Sequence, residues 1–433
     1  MRRIFPDYAY GPGPRDGCWW DETSSAPGWP VQSGKLRVDI AIVGGGFTGL
    51  SAALHLARSG VTAAVLEAET PGWGASGRNG GFCCLGGSKL SHSAMARRYG
   101  DAAAAAYAKA ERDAVDLVAG LLSEHGIDAD EHSNGETQLA HTPRAMEVLR
   151  RQAGEGGMLH EPGDLAALGF GGSFHGGYTN PVGFALNPRK YLFGLAEAAE
   201  KAGALLFQQS PAQSVHRAGP GYTVTTPQGH IDCETVLICT NGYSSEDMPD
   251  WLAGRYMPAQ STVMVTRKLS DAELRAQGWT SDQMSYDTRN LLHYFRLMPD
   301  RRFLFGMRGG LFSSPRAEAA IRAGMRRDFD RMFPAWSGVE ATHMWSGLVC
   351  LARSLTPYAG PVPGQPGMFA GLAYHGNGVA MGTYCGRALA RLAMGESADL
   401  PEPISRIPGR FPLGSCRRAL MPPVYAALAL ADI

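Results

Sequence analysis

One junction limits the possible folds more than any other. The apolar run Val38-Asp39-Ile40-Ala41-Ile42-Val43 leads straight into Gly44-Gly45-Gly46-Phe47-Thr48-Gly49. Such a run reads as a strand buried on both faces, which belongs in a parallel sheet. Leu50, Ala53, Leu54 and Ala57 then recur at helical spacing until Gly60, so the spacing predicts a helix whose apolar stripe rests on that sheet. Ala63 to Glu67 predicts the second strand. Strand, glycine turn, helix and strand together make a dinucleotide site. Gly44 forms the turn, Gly46 lets the backbone reach a pyrophosphate and Gly49 allows close helix packing. Phe47 and Thr48 open a helix whose N–H groups and dipole favour phosphate. Glu67 ends the second strand, where a carboxylate accepts hydrogen bonds from ribose hydroxyls and argues against a 2′-phosphate.

At 433 residues the chain exceeds what one hydrophobic core supports, so two domains sharing a cleft are expected. Residues 1–36, rich in Gly, Pro and Trp, read as an extended arm laying Trp19, Trp20 and Trp29 on the surface. The dinucleotide domain is assigned to 37–95, 180–255 and 341–400, the substrate domain to 96–179 and 256–340, and a tail to 401–433. Helices are predicted from about Asp101 to His125, from Asn187-Pro188 to Ala202, and from about Ala380 to Ala393. A hairpin joins Tyr222–Thr226 to Ile231–Cys233, and a further strand runs Thr235–Thr240. Longer antiparallel strands, including Leu291–Leu297 and Phe303–Met307, mark the substrate domain. The fold class is therefore α/β: a Rossmann-type domain beside an α+β domain with a mixed, largely antiparallel sheet.

Forty basic and forty acidic residues cancel, which removes the basic excess that a nucleic-acid or anionic-membrane partner requires and leaves small molecules as the expected partners. No run approaches the roughly 20 apolar residues of a membrane span, and Met1-Arg2-Arg3 is not followed by a signal-peptide stretch, so a cytoplasmic setting is expected. Eight cysteines without CxxC pairs or Cys/His ligand spacing indicate neither a disulfide framework nor a metal site.

The fingerprint does not decide between FAD and NAD. The next segment, Pro71 to Gly81, sets Ala75, Ser76, Arg78 and Asn79 among glycines that include Gly80 and Gly81. Its backbone can lie flat against a planar ring while its polar side chains reach phosphate or ring edges. At this loop the sequence resembles the D-amino-acid-oxidase superfamily of flavoproteins, and within it the gamma-glutamylputrescine oxidase-like branch. The similarity continues through Asn187-Pro188, Val236 to Tyr243, Tyr294-Phe295-Arg296, Arg302 to Gly306, Trp345-Ser346-Gly347 and Gly376-Asn377-Gly378-Val379. It implies FAD in the first domain, a sheet roofing the flavin, and oxidation of a primary or secondary amine to an imine that water hydrolyses. It also brings Asn241 into the cofactor site.

Gly376 to Val379 precedes the helix at about Ala380, so its N–H groups can stabilise negative charge on a reduced flavin. The branch tends to have His where this chain has Asn377, while His375 stands two positions earlier. After Trp345 the branch tends to show an acid, a threonine and an arginine where this chain has Cys350, Ala352 and Leu355. The missing acid weakens a polyamine substrate. Cys350 falls in the general region where sarcosine oxidases carry a covalent flavin link, although a buried apolar cysteine is the plainer reading.

Flavin amine oxidation needs positioning more than acid–base machinery. Tyr294 and Arg296, two apart on a strand, share a face, and Arg308 lies just beyond the returning strand. They are the candidates for gripping a carboxylate, with His375 near the flavin pyrimidine edge, whereas His293 points the other way. The resulting expectation is FAD-dependent oxidation of a carboxylated secondary amine, such as an N-substituted glycine or iminodiacetate, with dioxygen as acceptor and release of hydrogen peroxide. Oxidation of gamma-glutamylputrescine or another polyamine-derived amine is the alternative. An NAD-linked dehydrogenase and a non-catalytic flavin-binding subunit are the readings of other classes.

Overall fold

The computed structural model describes residues 1–152 and 156–432. The apolar run resolves into the strand Ile40–Val43, buried at every position, followed directly by the helix Phe47–Arg58. This strand sits inside a six-stranded sheet ordered Tyr358–Pro361, Met368–Leu372, Thr235–Ile238, Ile40–Val43, Ala63–Leu66, Leu205–Phe207. All neighbours are parallel except the pair Tyr358–Pro361 and Met368–Leu372. Because side chains alternate across a strand, Ile40, Ile42, Val65 and Leu237 pack under the helices Phe47–Arg58, Asp101–His125, Pro188–Lys201 and Ala380–Ala393. Ala41, Val43, Ala64 and Ile238 face the opposite way, onto Tyr222, Val224 and Ile231 of a four-stranded sheet. The helix ends follow their sequence signals: the Asn187 side chain accepts from Arg189 and Lys190 N–H groups, with Pro188 in the first turn.

The second large layer is an eight-stranded sheet ordered Ala341–Ala352, Tyr256–Thr266, Phe303–Arg308, His293–Leu297, Met284–Asp287, Glu136–Leu139, Gly177–Asn180, Met158–His160. Only Met284–Asp287 and Glu136–Leu139 run parallel. Phe295, Phe303 and Phe305 turn one face into an aromatic cluster with Trp279, Phe329, Phe333 and Trp336, covered by the helix Pro315–Met332. The register puts Ser261 opposite both Arg308 and Gly347, and Tyr294 opposite both Gly306 and Tyr286, so these residues share the other face.

Three segments depart from the expected layout. Ala341–Ala352 hydrogen-bonds along Tyr256–Thr266, so the large sheet takes a strand that had been assigned to the dinucleotide domain. The N-terminal arm is not a surface wrap. Trp20 and Trp29 are buried, Trp20 Nε1 donates to Asn79 O at 2.8 Å, and Gly34–Arg37 pairs in parallel with Gly229–Cys233. Indoles that lose most of their surface to the interior act as core, wherever they stand in the chain. The tail is anchored too: Arg417 is fully buried, donating to Tyr256 O and pairing with Glu246 at 2.5 Å, ahead of a last helix, Met421–Ala431. No helix among the described residues is long and apolar enough to cross a membrane.

Candidate active site

The parallel strands of the six-stranded sheet end on one edge, and the loops that leave Val43, Leu66, Ile238 and Leu372 line a long groove there. In an open α/β sheet this crevice outside the carboxyl ends is where nucleotides bind. The glycines are required by close approach. Gly44 takes φ +111°, and a Cβ there would stand 2.7 Å from Cys239 O, while a Cβ on Gly49 would stand 2.0 Å from Gly44 O. Gly46 has no side chain to cap the helix Phe47–Arg58; Ser76 Oγ takes the Phe47 N–H, and the rest of the first turn is left for phosphate. Glu67 accepts from Gly45 N–H at 3.0 Å and Glu69 N–H at 3.1 Å. Burial raises its carboxyl above the usual range and those N–H groups oppose the shift. Thr48 Oγ1 shares a hydrogen with Tyr374 Oη at 2.8 Å and fixes the opposite wall.

The loop after the second strand forms the partition between this groove and a second cavity of about 330 Å³; Ala75, Asn79, Leu348, Val349 and Gly376 line both. Its polar side chains brace it instead of reaching outward. Ser76 Oγ accepts from Phe47 N–H at 3.1 Å, and Asn79 donates to Ala75 O and Ser76 O while accepting from Gly81 N–H. Arg78, also buried, donates to Trp73 O at 2.8 Å and Ser346 O at 3.1 Å, between the Trp73 and Tyr243 rings. The backbone is thus what the loop presents.

FAD fits the residues that line the groove. Beside the glycine turn and the helix start, Tyr243 Oη in the groove lining is a buried polar atom without a protein partner, and buried polar groups require one. The donors are suited to phosphate and ring oxygens, and the apolar walls to a flat ring system. At the far side, Gly376, Gly378 and Val379 line the groove at the start of Ala380–Ala393, whose first turn no side chain caps.

The second cavity lies between that partition and the large sheet. Tyr294 and Arg308 both line it, as their shared face requires. Tyr294 Oη meets Ser261 Oγ at 3.2 Å, and burial raises its phenol. Arg308 Nη2 donates to His375 O at 3.1 Å. Burial is the largest influence on its guanidinium and lowers its pKa, with Tyr425 and Tyr294 nearby and no carboxylate among its influences.

Other candidates sit elsewhere. Arg296 shares the Tyr294 face, but the guanidinium donates to Gly80 O at 3.2 Å and Leu186 O at 2.8 Å and meets His132 Nε2 at 2.8 Å. Fully buried, with its donors used by loop carbonyls, it clamps the loop and is outside the cavity lining. His375 lines the groove, yet its ring is committed as well: Nδ1 pairs with Gly87 O at 2.8 Å and Nε2 with Ala352 N–H at 3.1 Å. Burial lowers it to about 4, so it is a neutral strut and its carbonyl holds Arg308. Asn377 donates to Leu85 O and Cys84 Sγ and faces the second cavity, not the groove. Asn241, at φ +44°, accepts from Ala373 N–H at the groove wall. Gly80 lines the second cavity, while Gly49 and Gly81 serve packing and turn geometry. Cys350 lines the groove, but burial pushes its thiol up to about 12, away from the thiolate that covalent attachment uses. His293 points away from the cavity and pairs with Asp287 at 2.7 Å.

The motifs did not single out Glu136, Lys89 or Tyr286, which line the second cavity. Glu136 opens a strand whose next residue, Thr137, is buried and faces the other way. A lone acid at the start of a short strand reads as solvent-facing until the partner strand is known.

Residues 39–392 match the family model described as FAD dependent oxidoreductase. A probable oxidoreductase, OrdL, of Rhizobium meliloti is 32% identical over 397 residues, covering 88% of this chain and 89% of its own. The gamma-glutamylputrescine oxidoreductase of Escherichia coli is 27% identical over 369 residues, covering 84% and 85%. Among solved structures, glycine oxidase from Geobacillus kaustophilus superposes with a TM-score of 0.69 at 21% identity, over 84% of this chain and 96% of its own. The glycine turn, the groove at the strand ends and the roofing sheet agree with that match, and the chain belongs to the DAO family of FAD-dependent oxidoreductases.

Proposed function

We propose that the protein oxidises the carbon–nitrogen bond of a small amine carrying a carboxylate, in the cavity between the cofactor groove and the large sheet. The observation that carries this reading is Arg308. It is a cation enclosed in a cavity of about 330 Å³ beside the partition, held by a backbone carbonyl and not by an acid. A half-buried guanidinium that lines a cavity without a carboxylate partner is a ready binding point for the carboxylate of a ligand. Tyr294, held by Ser261 on the same face, is placed to donate to the same carboxylate. FAD supplies the two-electron oxidation when bound: carbon gives up a hydride, nitrogen a proton, water splits the imine into a carbonyl compound and an amine, and dioxygen leaves as hydrogen peroxide.

What the chain contributes is positioning. Arg308 and Tyr294 fix the carboxylate, so the adjacent carbon is presented at the partition lined by Ala75, Asn79 and Gly376. His375, neutral and saturated, has no proton to exchange with substrate. Membership of the gamma-glutamylputrescine oxidase-like branch, with a polyamine-derived substrate, is the second reading. Glu136 in the cavity favours it by supplying an acid that the residues after Trp345 lack.

The test is anaerobic bleaching of the purified flavoprotein by sarcosine, iminodiacetate, D- and L-amino acids and gamma-glutamylputrescine, followed by readmission of air. Arg308→Ala is expected to raise KM for carboxylated substrates by about 30-fold or more, the scale for loss of one partner of a buried charge pair, and far less for simple amines. Equal effects on both classes would remove Arg308 from carboxylate binding.

A further inference from the structure

The second cavity holds opposite charges at its two ends. Arg308 belongs to Phe303–Arg308, and Glu136 to Glu136–Leu139, three strands away in the sheet order. At about 4.8 Å per strand this is on the order of 14 Å across the sheet before the side chains reach inward. Tyr294 and Tyr286, opposite one another on the intervening strands, line the wall between them. The Arg308 end adjoins the partition, since a Cβ on Gly376 would stand 3.1 Å from Arg308 Nη2; Glu136 is absent from the groove lining.

Glu136 has weak company. Its bonding partner is the Cys84 thiol, which Asn377 also approaches at 3.2 Å, and Lys89 acts on it only electrostatically. Lys89 lines the same cavity, and burial and the Arg308 charge lower its ammonium to about 7, which makes it a weak cationic partner. A second acid, Glu111, bonds the backbone of Gly86 in the cavity lining, and the Glu136 carboxyl adds to the burial that raises it to about 8. Burial, against the Cys84 bond and Lys89, holds Glu136 at about 7, an acid poised to ionise when a cation arrives.

Resting on the carboxylate reading of Arg308, we infer that the substrate is an elongated amino acid: the oxidised amine stands beside a carboxylate held by Arg308, and a cationic tail reaches Glu136. Carboxylate and amine in a glycine-sized substrate are only a few ångströms apart and cannot meet both ends. The aromatic wall of Tyr294 and Tyr286 suits the methylene chain between. This assigns Glu136 as a specificity residue, contributed by the substrate sheet and not by the segment after Trp345.

The experiment compares N-(4-aminobutyl)glycine with N-butylglycine and sarcosine on the flavin-loaded protein and on its Glu136→Gln and Glu136→Asp variants. Each variant is checked for flavin content and melting temperature. The readouts are anaerobic flavin reduction and calorimetric binding of the 4-aminobutyl ether of glycolate, which keeps the carboxylate and tail but replaces the reacting nitrogen. The aminobutyl compound is expected to exceed N-butylglycine in kcat/KM by about 30-fold or more. Glu136→Gln collapses that ratio towards one and weakens the ether to match, and Glu136→Asp restores part of it. If both N-substituted glycines bleach the flavin alike, or the Gln variant lowers all three substrates equally, the inference is overturned while the carboxylate reading stands. If none of the three bleaches it while butylamine or putrescine, added as carboxylate-free controls, does, both fall.

Discussion

At Gly46 one added carbon changes what the site can hold. A Cβ there would stand 2.8 Å from Ser76 Oγ, the atom that accepts from Phe47 N–H and ties the partition loop to the helix start. Gly46→Val is therefore expected to purify without flavin, measured as loss of the absorbance bands of oxidised flavin; a yellow variant would count heavily against this groove. His375 is a different lesson. A histidine in a glycine-rich turn invites a chemical role, yet both ring nitrogens are bound to backbone and burial keeps the ring neutral. Residue type and spacing brought Gly44, Gly46 and Glu67 to the groove because their roles depend on local backbone geometry. Arg296 and His375 could not be resolved that way, since their partners lie far off in the chain.

Strand alternation explains both what was legible and what was not. Tyr294 and Arg296 share a face as their spacing requires, but Tyr294 is opposite Gly306, which leaves room for the Tyr294 ring to lie across it, while Arg296 is opposite Leu304 under the Gly80 loop. His293, on the other face, joins three elements by pairing with Asp287 and approaching Asp328 of the covering helix at 3.5 Å. Burial disfavours its charge, but the bonds to the two carboxylates outweigh it and raise the imidazole above its ordinary value. The sign follows from linkage. A group raised above an unfolded value of about 6.5 stabilises fully below that pH, and the contribution is lost as pH climbs through the folded value. Asp287 is depressed, so its contribution is present above about 3.9 and lost only as pH falls through its folded value. Between about pH 6 and pH 9 the melting temperature of the wild type should fall more than that of His293→Gln. Parallel slopes would show that folding leaves the imidazole's pKa unshifted.

For the whole molecule, the segment expected as a tail closes part of the site. Asp432 accepts from Asn290 N–H, Asn290 Nδ2 and Leu291 N–H, next to Leu292 of the cavity wall, and Tyr425 lies within electrostatic reach of Arg308. Removing residues 421–433 leaves the buried Arg417 in place. It is expected to admit water to Arg308 and raise KM for carboxylated substrates several-fold, on the order of 1 kcal/mol, with flavin retained. Unchanged kinetics would make this helix a bystander. The Rossmann half was readable from the chain alone, since strand, turn, helix and acid are neighbours in sequence and their geometry follows from local sterics and hydrophobic period. Asp101–His125 and Ala380–Ala393 likewise matched their predicted bounds. Tertiary pairing alone decided which strand joined which sheet, that Trp20 and Trp29 lie inside, and that Glu136 shares a cavity with Arg308. Residues so far apart in the chain meet only through sheet register, which no local pattern encodes.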